Sequence, residues 1–134
     1  MWSAPAVPIS EVILTAPDID AGIFRQMADQ FRKAAQRVTL YASANDRALH
    51  LSKKYQGNFV RVGDCSTELF VFPGIDSIDV SAVDSNLVGH FYYGDNKSVL
   101  SDVFYLLKNR TPADERFGLI ERLRGGQRCW VFRP

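Results

Sequence analysis

The chain has 134 residues, 46% of them hydrophobic, with 16 basic side chains against 15 acidic. That length suits one ordinary domain able to bury a real core, and the near balance of charge, without a block of one sign, excludes the field that would attract nucleic acid or an anionic surface. No run of about 18 apolar residues occurs, so no membrane span is expected.

The opening MWSAPAVPIS has neither the basic region nor the apolar run of a signal peptide. The chain therefore reads as soluble, cytoplasmic by default, and SAPAVP reads as a loop or the ragged edge of something longer. EVILTA (11–16) is a short apolar run stopped by Pro17, the pattern of a strand buried on both faces of a parallel sheet. From Asp20, an N-cap residue type, the period changes: Ile23, Met27, Phe31 and Ala34 mark one face of an amphipathic helix. RVTLYAS (37–43) is β-branched and aromatic, a second strand, and strand, helix and strand together make a βαβ unit.

NDRALHLSKKY reads as a short helix opening at Asn45 or Asp46, with Ala48, Leu49 and Ser52 inward. ELFVF (68–72) has the composition of a small strand, bounded by Pro73-Gly74. SIDVSAV (77–83) alternates Ile78, Val80 and Ala82 against Ser77, Asp79 and Ser81, a third sheet strand suited to an edge. In SVLSDVFYLLKNR, Val99, Val103, Leu106 and Leu107 mark a helix that packs back on the sheet, capped by Asp95 or Asn96. QRCWVFRP closes the chain as a strand or extended tail, with Trp130 and Phe132 on one side.

Two positions stand just past the carboxyl ends of expected parallel strands: Asp46 after RVTLYAS and His90 after SIDVSAV. Reacting groups of open α/β sheets collect at that edge. Acid before histidine is also the chain order of the last two members of an α/β-hydrolase triad. Position alone leaves Asp46 equally open as a helix N-cap.

The stretches VILTAPDIDAGIFRQ, VTLYASANDRALHLSKK, IDVSAVDSNLVGHFYYGDNKSVLSDVFYLL and WVFRP resemble an uncharacterised bacterial family of α/β-hydrolase-fold proteins regarded as serine hydrolases. The resemblance implies Asp46 as triad acid and His90 as triad base, with Asp18 and Asp20 as rival acids from the preceding loop. It implies no metal or organic cofactor, and a small acyl ester as substrate of the complete enzyme.

One departure from the family pattern matters: no G-x-S-x-G pentapeptide occurs in the 134 residues. The expected fold is thus a partial α/β-hydrolase fold, a mostly parallel sheet with flanking helices that lacks the first strands and the nucleophile elbow. The whole chain is expected to be the carboxyl-terminal part of a single hydrolase domain, inactive alone. The alternative is a non-catalytic truncated or split-hydrolase interaction module, whose partner would be a complementing amino-terminal hydrolase segment.

The other reactive side chains have plainer readings. His50 sits on a charged helical face, and Ser43, Ser66, Ser81 and Ser85 read as turn or strand hydroxyls. Tyr92 and Tyr93, beside His90, suit packing or a pocket wall. Cys65 and Cys129 fall in no metal-ligand or redox spacing, and Cys65 lacks an activating motif.

Overall fold

A computed structural model of the chain describes residues 9–45, 59–83 and 97–133. Its elements are β1 (Ile9–Thr15), α1 (Ala21–Ala34), β2 (Ala35–Ala42), β3 (Asp76–Asp79), α2 (Lys97–Asn109), a 3-10 turn (Ala113–Glu115), β4 (Leu119–Arg124) and β5 (Gln127–Phe132). The strands form one five-stranded sheet in the order β1-β2-β3-β5-β4. All neighbours are parallel except the β4–β5 hairpin. As expected, the architecture is a mostly parallel sheet with flanking helices.

The βαβ unit forms as its periodicities dictate. Asp20 caps α1, accepting from the Ile23 amide at 3.0 Å, and Ala35 leads without a loop into β2, which pairs with β1 from Ile9↔Ala35 to Thr15↔Tyr41. The buried face of α1 is rotated from the expected one. Phe24 and Ala28 are buried, Phe31 packs at the margin, and Ile23 is 55% exposed.

β2 is covered on both sides, and its alternation divides the core into two layers. Val38 and Leu40 meet Phe24 and Ala28 of α1, together with Val62, Phe72 and Ile75. On the other side Tyr41 joins Ile78, Val80, Val99, Ala113, Trp130 and Phe132.

Between the second layer and α2 lies a polar lock. The Tyr41 hydroxyl donates to Asp102 Oδ2 at 2.5 Å, and Arg116 Nε donates to Asp102 Oδ1 at 2.8 Å. Both charged side chains of that pair are fully buried. Arg116 also donates to the Thr111 carbonyl at 2.8 Å. Asp102 therefore takes a place on the buried face of α2 between Val99 and Leu106, while Leu107, expected there, is 56% exposed.

Three expectations are corrected. ELFVF is not a strand: residues 68–72 run irregularly, held by burial of Leu69 and Phe72. SIDVSAV stops being a strand at Asp79, because the Asp79 carboxylate accepts from the Ser81 amide at 2.9 Å and turns the chain out of the ladder. β3 is also interior, between β2 and β5, rather than an edge. The closing strand exists, but as one arm of a hairpin whose turn, Gly125-Gly126, has positive φ at both residues.

Candidate functional site

Ala42 of β2 stands opposite Asp79 of β3, so two adjacent parallel strands release their chains at one carboxyl edge. A third segment crosses that edge. The Val62 amide donates to the Ile19 carbonyl at 2.9 Å and the Gly63 amide to that of Pro17 at 3.1 Å, while Ser43 donates to the Gly63 carbonyl at 3.0 Å. The crossing is close enough that a Cβ on Gly63 would overlap the backbone of Ala16 and Pro17. Ala16 itself sits at φ 44°, a left-handed conformation unusual for a residue with a side chain.

Polar groups concentrate where these chains leave the sheet. The Ala44 amide donates to Ser81 Oγ at 2.8 Å, and Asn45 Nδ2 donates to the Ser81 carbonyl at 2.9 Å. The Asn45 amide donates to Ser43 Oγ at 3.0 Å. Cys65 Sγ lies 3.5 Å from Ser81 Oγ. A cavity of about 340 Å³ opens between the start of α2 and the end of β5, its lining including Lys97, Ser98, Ser101, Phe117, Gly118 and Phe132.

Asp46 and His90 lie outside the described residues, as do His50, Ser85, Tyr92, Tyr93, Asp95 and Asn96. What the structure brings together is Ala44 and Asn45 with Ser81. Asn45 directly precedes Asp46, and Ser81 lies on the chain that runs toward His90.

The rival acids have other partners. Asp18 Oδ1 pairs with Arg61 Nε at 3.2 Å, across a nearly buried guanidinium, and Asp20 caps α1. Ser43 is fully buried. Burial pushes the Cys65 thiol up to about 12, overriding the opposing pull of the Ser81 hydrogen bond. A thiol of that kind stays protonated at neutral pH and is a poor nucleophile.

At the opposite edge, burial raises the carboxyls of Glu11 and Asp76, against the pull of arginines that include Arg37 and Arg116. Arg37 donates to the carbonyls of Arg110 and Thr111, each at 3.1 Å. That network ties the end of α2 to β2, a structural role.

Asn45 and Ser81 are contributors to this edge that strand periodicity conceals. Ser81 continues the alternation of SIDVSAV, and only the D-x-S spacing of an Asx turn separates it from the strand.

Residues 3–110 match a family described as "Alpha/beta hydrolase of unknown function (DUF900)". The chain belongs to this family. The match spans β1, α1, β2, β3 and α2, and with them positions 46 and 90, whereas the β4–β5 hairpin lies past it. No curated protein and no solved structure matches the chain. Among the described residues no helix is long and apolar enough to cross a membrane.

Proposed function

We propose that the chain supplies the acid and the base of a serine-hydrolase triad, Asp46 and His90, to a nucleophile carried on a segment outside these 134 residues. The observation that supports this reading is the bonded pair Asn45 and Ser81 at the carboxyl edge of β2 and β3, Asn45 being the sequence neighbour of Asp46 and Ser81 standing on the His90 side of β3. Membership of an α/β-hydrolase family supports a hydrolase-like chemistry.

In the complete site a serine hydroxyl attacks the acyl carbonyl of an ester while His90 takes its proton. The tetrahedral adduct collapses as His90 returns that proton to the departing alkoxide, leaving an acyl-enzyme and a free alcohol. Water then attacks the acyl-enzyme, giving a proton to His90, and the second adduct collapses as His90 returns that proton to the serine oxygen and the carboxylic acid is released. Asp46 holds the imidazole and stabilises its charge throughout.

A second reading has its own observation. Among the described residues β1 has β2 as its one strand neighbour. Ile9 and Val12 of β1 line, with Met27, Gln30, Phe31 and Ala34, a groove of about 280 Å³. A parallel strand added there would pair the edge and cover the groove. This supports an interaction with a complementing hydrolase segment, whether or not the assembly turns over ester.

Turnover of short-chain p-nitrophenyl esters tests the proposal. The chain alone should match a His90→Ala control, because it lacks both the serine and the oxyanion donors, and loss of even one such donor costs about a hundredfold or more. Co-expression with a segment containing a G-x-S-x-G elbow should restore turnover, and His90→Ala or Asp46→Asn should then depress it. Robust, His90-dependent cleavage by the chain alone would contradict the reading.

A further inference from the structure

We propose that the sheet face beneath α2 is an internal hydration site, where ordered water is bound by Thr39, Arg116 and Trp130 together with the carboxylates of Glu11 and Asp76. The starting observation is a group of buried polar atoms that have no hydrogen-bond partner among the described residues: Thr39 Oγ1, Arg116 Nη2, Trp130 Nε1 and Glu11 Oε1. Leaving such atoms bare is costly, and native interiors meet them with protein groups or with water.

Strand alternation and register bring these atoms to one layer. Tyr41 marks the face of β2 that looks toward α2, because its hydroxyl reaches Asp102. Thr39, two residues earlier, lies on the same face. Its register partners are Ile13 of β1 and Asp76 of β3, each about 4.8 Å away across the sheet. Glu11, two residues before Ile13, and Trp130, the register partner of Ile78, share that face. Arg116 closes the layer from the α2 side. Its guanidinium donates to Asp102 through Nε and to the Thr111 carbonyl through Nη1, which leaves Nη2 over. Its charge pulls on the carboxyls of Glu11 and Asp76 alike, so it stands near both.

The chemistry of the group selects water. Arg116 Nη2 and Trp130 Nε1 only donate, ionised carboxylates only accept, and the Thr39 hydroxyl does both. A molecule with two protons and two lone pairs serves all three kinds. A cation would meet the charges of Arg37 and Arg116, and an anion those of Glu11 and Asp76. A cavity of about 320 Å³, whose lining includes Asp76, Arg128 and Trp130, brings solvent to the margin of the site. Water held there completes the Tyr41–Asp102–Arg116 lock by giving Arg116 its last bond. The site uses neither Asp46 nor His90 and stands apart from the triad assignment.

Thr39→Val tests the proposal by the sign of its effect, since valine fills nearly the same space and suits a strand. If the hydroxyl binds water, valine removes a bond and the urea midpoint of unfolding falls. If the hydroxyl is bare, valine relieves an unpaired polar group and the midpoint rises. A second measurement reads the water directly, by nuclear Overhauser spectra taken in the laboratory and rotating frames. A Trp2→Phe background leaves the Trp130 indole N–H as the only one in the chain. That proton should show a cross-peak to water with the sign of a long-lived complex, and Thr39→Val should lower the urea midpoint. A midpoint that stays or rises in Thr39→Val, or a Trp130 indole proton with no long-lived water beside it, would overturn the proposal.

Discussion

At the scale of single residues, the Tyr41–Asp102–Arg116 lock has a pH signature. Burial first, and then the Asp102 charge, hold the Tyr41 phenol protonated well above its ordinary range. The unfolded chain releases that proton near pH ~10, so above this pH the folded state binds more protons than the unfolded one and stability falls as pH rises. Tyr41→Phe should lose about 1.5–3 kcal/mol at neutral pH, because a buried carboxylate loses a donor, and should show a shallower decline above pH ~10. Urea unfolding at both pH values measures this, and parallel slopes for the two proteins would contradict it. Asp102→Ala should be worse, about 3–5 kcal/mol, since it strands the Arg116 charge in the core. The cysteines make a second test. With the Cys65 thiol raised to about 12 and the Cys129 thiol also raised by burial, labelling by a thiol reagent near neutral pH should keep pace with unfolding. Rapid stoichiometric labelling of the native chain would refute that.

At the scale of elements, two glycines behave oppositely for separate reasons. Gly63→Ala should cost ~3 kcal/mol, because the added carbon meets the backbone of Ala16 and Pro17, which cannot step aside. Gly125→Asn should be nearly neutral, within about 0.5 kcal/mol, since φ is 59° there, nothing lies within 4 Å, and asparagine tolerates that conformation. Thermal melts of the two variants check the contrast. Legibility follows the same physics. β1, α1, β2 and α2 announce themselves because each carries a regular stripe or run of apolar residues. The rotated face of α1 was hidden by Ile23, as apolar as Phe24 but solvent-facing. β3 ended early because a side chain, Asp79, competed with the ladder. The β4 strand LIERLR carries four exposed positions out of six, so its only strong signal is the Gly-Gly turn beside it. At the site, sequence order pointed to Asp46 and His90, while Asn45 and Ser81 emerge only when two strands distant in sequence are laid side by side.

At the scale of the whole molecule, considerable apolar surface faces water. Phe117 is 91% exposed, Leu123 70%, Phe59 62% and Phe104 52%. The apolar edge of β1 adds to it. The isolated chain should therefore bind a hydrophobic dye and associate with increasing concentration on size-exclusion chromatography; a well-dispersed monomer that binds no dye would argue for a self-sufficient domain. The central proposal is that Asp46, rather than Asp18 or Asp20, holds His90. The imidazole N–H of a histidine hydrogen-bonded to a carboxylate gives a proton NMR signal far downfield of the other ring protons. That signal should be present in the wild-type chain, persist in Asp18→Asn and Asp20→Asn, and vanish in Asp46→Asn; its survival in Asp46→Asn, or its loss in either of the other two, would contradict the account.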